Sequence, residues 1–142
     1  MTRTLHTTLA ATVALISLIA ALACGGPEQE EQAVTAAKAW LELVDKGEYE
    51  KSGEEAAKLF KSNVPKNEWS RTIAAGREPM GKLVSRELES AKYSTTLPGA
   101  PDGEYVLIQF ETSFENKKSA IETITPMKDP DGVWRVSGYY IK

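Results

Sequence analysis

The chain has 142 residues with one cysteine, one histidine, and 17 basic against 20 acidic side chains. That length suits one domain whose core needs no disulfide or metal, and a lone cysteine excludes an intrachain disulfide. Both scarce residues, His6 and Cys24, precede everything that carries globular patterning.

Residues 1–23 read as an export signal. Arg3 supplies a positive start, Leu9 to Ala20 an apolar stretch, and Ala21-Leu22-Ala23 a small-residue close. The stretch falls short of the roughly 20 apolar residues that span a bilayer, and no later segment approaches that length. Ala21-Leu22-Ala23-Cys24-Gly25 resembles the lipobox of bacterial lipoproteins, in which the cysteine is acylated and becomes the mature N-terminus. A thiol suits thioether formation, and a small residue precedes it; Ala21 stands where such signals most often carry leucine. Ala21-x-Ala23 serves ordinary signal peptidase too, which would leave a free cysteine, and an uncleaved anchor helix is the third reading. The lipobox resemblance implies a lipid-anchored domain, membrane-bound through acyl chains on Cys24. Gly25, where aspartate would mark retention, implies sorting in enteric-type bacteria to the outer membrane, facing the periplasm. Residues 24–32 then form the lipidated cysteine and a polar tether. As a flexible chain, Gly25 to Gln32 spans roughly 15 Å.

The remaining residues, 33–142, read as one α+β domain. Val34, Ala37, Leu41 and Val44 recur at helical spacing, with Ala33, Trp40 and Leu43 widening the stripe. Asp45-Lys46-Gly47 closes this helix. Ser52-Gly53-Glu54-Glu55 fits a capping box for a second helix that buries Ala56, Leu59, Phe60 and Val64 and stops at Pro65, with Tyr49 a candidate earlier start. A third helix carries Trp69, Ile73 and Gly76 or Arg77 on one side, ending at Pro79 and Gly81. From Lys82 the period becomes two. Strands are expected over Leu83–Thr96, Tyr105–Phe114, Ser119–Lys128 and Val133–Ile141, separated by turn-rich segments. Three helices on a curved four-strand antiparallel meander is the expected fold class.

Several strings coincide with one family. The helical half contributes Trp40-Leu41, Val44-Asp45, Ala56-Ala57, Phe60, Trp69 and Arg77-Glu78-Pro79-Met80-Gly81. The sheet half contributes Leu97 to Tyr105, Phe110 to Lys117, Glu122-Thr123 and Asp131 to Ile141. The chain resembles the domain of unknown function 4019, a family of small exported bacterial proteins. Gly53 departs from it, standing where the family pattern has tryptophan. The resemblance implies a fold similar to nuclear transport factor 2-like cones and implies no biochemical activity.

Loss of residues 1–23 would remove the only histidine. Histidine-dependent nucleophilic triads and zinc sites built on His and Cys are then excluded, and no cofactor or metal is expected. Asp129-x-Asp131-Gly132 lacks the downstream glutamate of a calcium loop and reads as a turn. An acidic exported domain is not expected to bind nucleic acid, and Lys58, Lys61 and Lys66 read as a solvated helix face. Glu122 is the notable titratable residue. It shares a strand face with Ala120 and Ile124, and a buried carboxylate requires a partner or a proton. Arg77 and Arg86 are the nearest partners by topology. An ion pair fixing the sheet, a ligand-binding group, and a general acid or base assisted by Tyr93 or Tyr140 are the three readings. On the last strand, Trp134, Val136, Gly138 and Tyr140 are expected to face the core. Tyr139 and Ile141, with Tyr105, would then form an exposed interaction surface. The leading expectation is a membrane-tethered, non-enzymatic interaction module of the bacterial envelope with a protein partner. The rival is a small-molecule-binding cone with a polar pocket and acid–base chemistry.

Overall fold

The computed structural model describes residues 26–142; the expected export signal, Cys24 and Gly25 lie outside the described residues. The helices are α1 (Pro27–Asp45), α2 (Tyr49–Glu54), α3 (Lys58–Asn63) and α4 (Lys66–Arg77), the last running into a 3-10 turn over Glu78–Met80. The strands are β1 (Leu83–Ser94), β2 (Tyr105–Phe114), β3 (Lys117–Lys128) and β4 (Trp134–Ile141). They form one antiparallel sheet in the order β1-β2-β3-β4, the expected meander.

α1 is held by its apolar stripe. Ala33, Val34, Ala37, Trp40, Leu41 and Val44 are buried against Val106, Ile108, Phe110, Ile124 and Val136. Each fully buried large aliphatic or aromatic side chain contributes about 1.5–3 kcal/mol, far more than helix propensity does. The helix begins six residues before the expected domain start, so residues 27–32 are helical and not a flexible tether. Pro27 at the first helical position has its φ preset, and Glu28 and Glu30 lie in the first turn, where the helix dipole favours acids. Gly26 donates its N–H to Gln29 Oε1 at 3.1 Å.

The expected second helix is two. Ala57 leaves helical geometry (φ −59°, ψ 153°) so that its N–H can donate to Val136 O at 2.8 Å, tying the α2–α3 junction to β4. Ser52 is not a cap. It lies inside α2, fully buried, where its hydroxyl donates to Tyr49 O at 2.6 Å and accepts from Trp69 Nε1 at 3.0 Å. Its carbonyl accepts from Trp40 Nε1 at 2.7 Å. Two indoles thus converge on one serine, and Phe60 meets Trp69 edge-on with ring centroids 4.9 Å apart. Gly53 is where α2 presses on that cluster: a Cβ there would stand 2.9 Å from Trp69 Cδ1.

Along β2, Val106, Ile108, Phe110, Thr112 and Phe114 point inward and are all buried. β4 departs from simple alternation. Thr125 pairs with Gly138 but Pro126 pairs with Val136, so Ser137 is an extra residue, a β-bulge. Pro126 has no N–H for the ladder, and the Ser137 hydroxyl donates to Thr125 O at 2.8 Å beside it. Trp134 and Val136 face the core before the bulge, and beyond it the faces exchange. Tyr139 turns inward while Tyr140 is 57% exposed, the reverse of the expected arrangement.

Candidate functional site

The inner face of the sheet carries a buried polar cluster at the end where α1 and α4 terminate. Asp45 is the last residue of α1 and Arg77 the last of α4. Arg86 and Glu122 come from β1 and β3, on either side of β2, where Thr112 pairs with Arg86 and Phe110 with Glu122. Glu122 is fully buried. Its Oε1 accepts from Arg86 Nε and Thr112 Oγ1, both at 2.6 Å. Its Oε2 accepts from Tyr139 OH at 2.5 Å and Arg86 Nη2 at 3.2 Å. Four donors occupy the roughly four lone-pair positions of one carboxylate.

Arg86 also grips Asp45, through Nη1 at 2.7 Å and Nη2 at 3.1 Å. Arg77 reaches Asp45 through Nη2 at 3.2 Å, and its other terminal nitrogen donates to Gly81 O at 2.5 Å. The Arg77 guanidinium lies 4.3 Å from the centre of the Phe114 ring, a cation–π contact. Two arginines and two carboxylates alternate as Arg77–Asp45–Arg86–Glu122, so the buried charge sums to zero. Burial alone would lower the Arg86 pKa, but hydrogen bonds to Asp45 and Glu122 outweigh it and hold the guanidinium above its usual value. Burial, reinforced by the Glu122 charge, raises the Tyr139 phenol pKa well above the usual value. The neutral phenol is thereby kept as a donor.

The chemistry of Glu122 follows from its saturation, whereas Arg77 Nε is buried without a hydrogen-bond partner. Glu122 has no free acceptor position for a substrate proton, and its neighbours are engaged by one another. The cluster joins all four strands and the ends of α1 and α4. Of the two arginines named from sequence, Arg86 meets Glu122 directly while Arg77 acts through Asp45. The tyrosine beside the carboxylate is Tyr139, in place of Tyr93 or Tyr140. Tyr93 OH donates instead to Glu104 at 3.2 Å. Asp45 escaped the sequence reading, although its position four residues after Leu41 places it on the buried stripe of α1. Thr112 escaped it too, although the alternation of β2 turns it inward. Among the described residues no group of three or more His, Cys, Asp or Glu is placed to hold a metal ion.

The expected exposed surface of Tyr105, Tyr139 and Ile141 does not form. Tyr105 is buried under the β1–β2 loop, its hydroxyl donating to Pro101 O at 2.6 Å. Tyr139 stacks edge-on against Trp40 with centroids 5.3 Å apart, and Ile141 pairs with Glu122 in an inward-facing row. The outer face of the sheet presents other residues. Leu107 and Tyr140 are exposed apolar side chains on it, and Glu87 stands directly across from Glu111. In the β3–β4 turn, Asp129 accepts from Lys58 N and Arg135, so a cation has no claim on it. Hydrogen bonds from Arg135 and from the Val133 N–H push the Asp131 carboxyl pKa down to about 2.

The sequence profile of a family of proteins of unknown function, DUF4019, matches residues 36–139. The chain belongs to the DUF4019 family. The match runs from the middle of α1 into β4 and includes Asp45, Arg77, Arg86, Thr112, Glu122 and Tyr139. No curated protein matches this DUF4019 chain significantly. No helix among its described residues is long and apolar enough to cross a membrane.

Proposed function

We propose that this DUF4019 protein is a lipid-anchored module of the bacterial envelope that binds a protein partner and performs no catalysis. Attachment is through Cys24, with the domain on the periplasmic side of the outer membrane. One observation carries the non-catalytic part of the reading: Glu122, the residue best suited to acid–base work, is wholly buried and accepts from four donors. A carboxylate so engaged serves packing, and a ligand would have to displace Arg86, Thr112 or Tyr139 to reach it. The outer sheet face, with Leu107 and Tyr140 exposed, is the surface this reading assigns to a partner.

The test joins labelling and crosslinking in cells. Radiolabelled palmitate is expected to label the wild type and not Cys24→Ala. A photo-crosslinking residue at Leu107 or Tyr140 is expected to capture a discrete protein partner, whereas one at exposed Lys38 on α1 is not. A small molecule retained on the purified protein in native mass spectrometry, and lost in Glu122→Gln, would establish the rival cone reading.

A further inference from the structure

The start of α1 lies at the end of the sheet that carries the β1–β2 loop. Glu30, in the first turns of α1, accepts the backbone N–H of Tyr93 at 3.0 Å. Tyr93 is the penultimate residue of β1, so the start of α1 is fastened to the root of the β1–β2 loop, residues 95–104. Cys24 is two residues upstream of Gly26, hence at most about 7 Å from it along an extended backbone. With roughly 6 Å of helix from Gly26 to Glu30 and one glutamate side chain, Cys24 lies on the order of 20 Å from that loop root at most.

The tip of the loop is uncharged and ordered, with Asp102 and Glu104 following it. From Ser94 to Pro101 no side chain carries a charge, and the tip is Leu97-Pro98-Gly99-Ala100-Pro101. Ala100 N donates to Leu97 O at 3.2 Å, Gly103 N to Thr95 O at 3.1 Å, and Pro101 O accepts from the buried Tyr105. Gly99 sits at φ 77°, the left-handed geometry that lets the turn close. Behind the tip runs a groove of about 520 Å³ lined by Leu59, Phe60, Val64, Leu97 and Pro101 among others, with no charged side chain. The β3–β4 turn, at the same end of the meander, adds Val133, 47% exposed, beside the exposed Asp131. At the opposite end the β2–β3 turn carries Glu115 and Asn116, β3 opens with Lys117 and Lys118, and Lys82 and the exposed Leu83 and Val84 stand nearby.

We infer that the Leu97–Pro101 tip is a second membrane contact, resting on the lipid interface beside the acylated Cys24 and fixing the domain's orientation. The inference rests on the anchoring proposed above. A preordered loop loses little conformational freedom on contact, and a tethered apolar tip meets the interface without a second diffusional encounter. Asp102, which adjoins the tip, favours zwitterionic over anionic headgroups. With this end down, the outer sheet face stands beside the bilayer and the charged β2–β3 turn points into the aqueous space.

The test uses the full lipoprotein, purified from membranes and reconstituted into phosphatidylcholine vesicles. Ala100→Cys and, separately, Lys118→Cys carry an environment-sensitive fluorophore, acylation having blocked Cys24. Brominated acyl chains are expected to quench the label at 100 several-fold more than the label at 118. Leu97→Asp, in the Ala100→Cys background, is expected to weaken that quenching while far-ultraviolet circular dichroism stays unchanged. Equal quenching at both sites in protein whose intact mass shows acylated Cys24 overturns the loop contact and leaves the anchor standing. An intact mass without acyl chains overturns the anchor, and the loop contact with it.

Discussion

Arg86 and Glu122 meet at 2.6 Å although they sit on β1 and β3, which are not neighbours in the sheet. The guanidinium reaches over β2, where Thr112 donates to the same carboxylate oxygen. Such a contact requires the inner face to be concave at this point, and Asp45 at the end of α1 closes the concavity from above. A neutral chain of four alternating charges explains how they remain buried: each arginine faces a carboxylate, and no charge is left without a counterpart.

Removing one member breaks that balance. Glu122→Gln keeps the shape but leaves Arg86 with Asp45 alone, and is expected to cost about 3–5 kcal/mol in urea unfolding. Asp45→Asn should cost less, because the Asp45 side chain is 15% exposed and water can replace part of the lost interaction. A Glu122→Gln protein within 0.5 kcal/mol of wild type, by the order of magnitude expected for a surface change, would contradict the structural role assigned here.

Tyr139→Phe tests the donor on the other carboxylate oxygen. Loss of a hydrogen bond to a charged group is expected to cost about 1.5–3 kcal/mol at neutral pH. The variant should also change the alkaline limb. In the native state burial and the Glu122 charge hold the phenol pKa up, whereas in the unfolded chain it titrates near its ordinary value of about 10. The unfolded state therefore releases the proton first, and stability falls as pH rises through and above about 10. Denaturant midpoints at pH 8 and pH 10.5 should fall further apart in the wild type than in Tyr139→Phe.

The sheet was legible because its signals are local: period-two alternation in β2 and turn residues at each reversal. The same parity turned Glu122 inward, and strand order alone brought Arg86 toward it. The split of the second helix was not legible, because Ala56-Ala57 has high helix propensity and bends only to satisfy Val136 O. The exchange of Tyr139 and Tyr140 depends on a single extra residue, Ser137. Pro126 was the available signal, since an interior strand tolerates proline best beside a bulge. The early start of α1 was legible in Pro27, read there as part of a tether.

Gly53 separates propensity from packing. Alanine is favoured over glycine by about 1 kcal/mol within a helix, so Gly53→Ala should stabilise if α2 were isolated. The added Cβ would lie 2.9 Å from Trp69 Cδ1, on an indole already fixed by Ser52 and Phe60. Overpacking against so rigid a neighbour typically costs about 1–3 kcal/mol, so net destabilisation is expected. A lower thermal midpoint with altered tryptophan emission would confirm the clash; a higher midpoint would show that Trp69 yields.

Ser137 offers the strongest test of the inverted face. Ser137→Ala keeps the residue count and removes only the bond to Thr125 O, an expected cost of about 1 kcal/mol. Deleting Ser137 leaves Val136 opposite Pro126 and brings Gly138 next to it opposite Thr125, so β4 alternates strictly with Trp134, Val136 and Tyr139 all still on the inner face. The deletion is therefore expected to keep the Tyr139 phenol on Glu122 and to cost little more than Ser137→Ala. Near-ultraviolet circular dichroism checks this directly, because Trp40 and Tyr139 are in edge-on contact. A deletion variant that loses the native aromatic spectrum or its cooperative transition would mean that Ser137 is not the extra residue that sets which tyrosine meets Glu122.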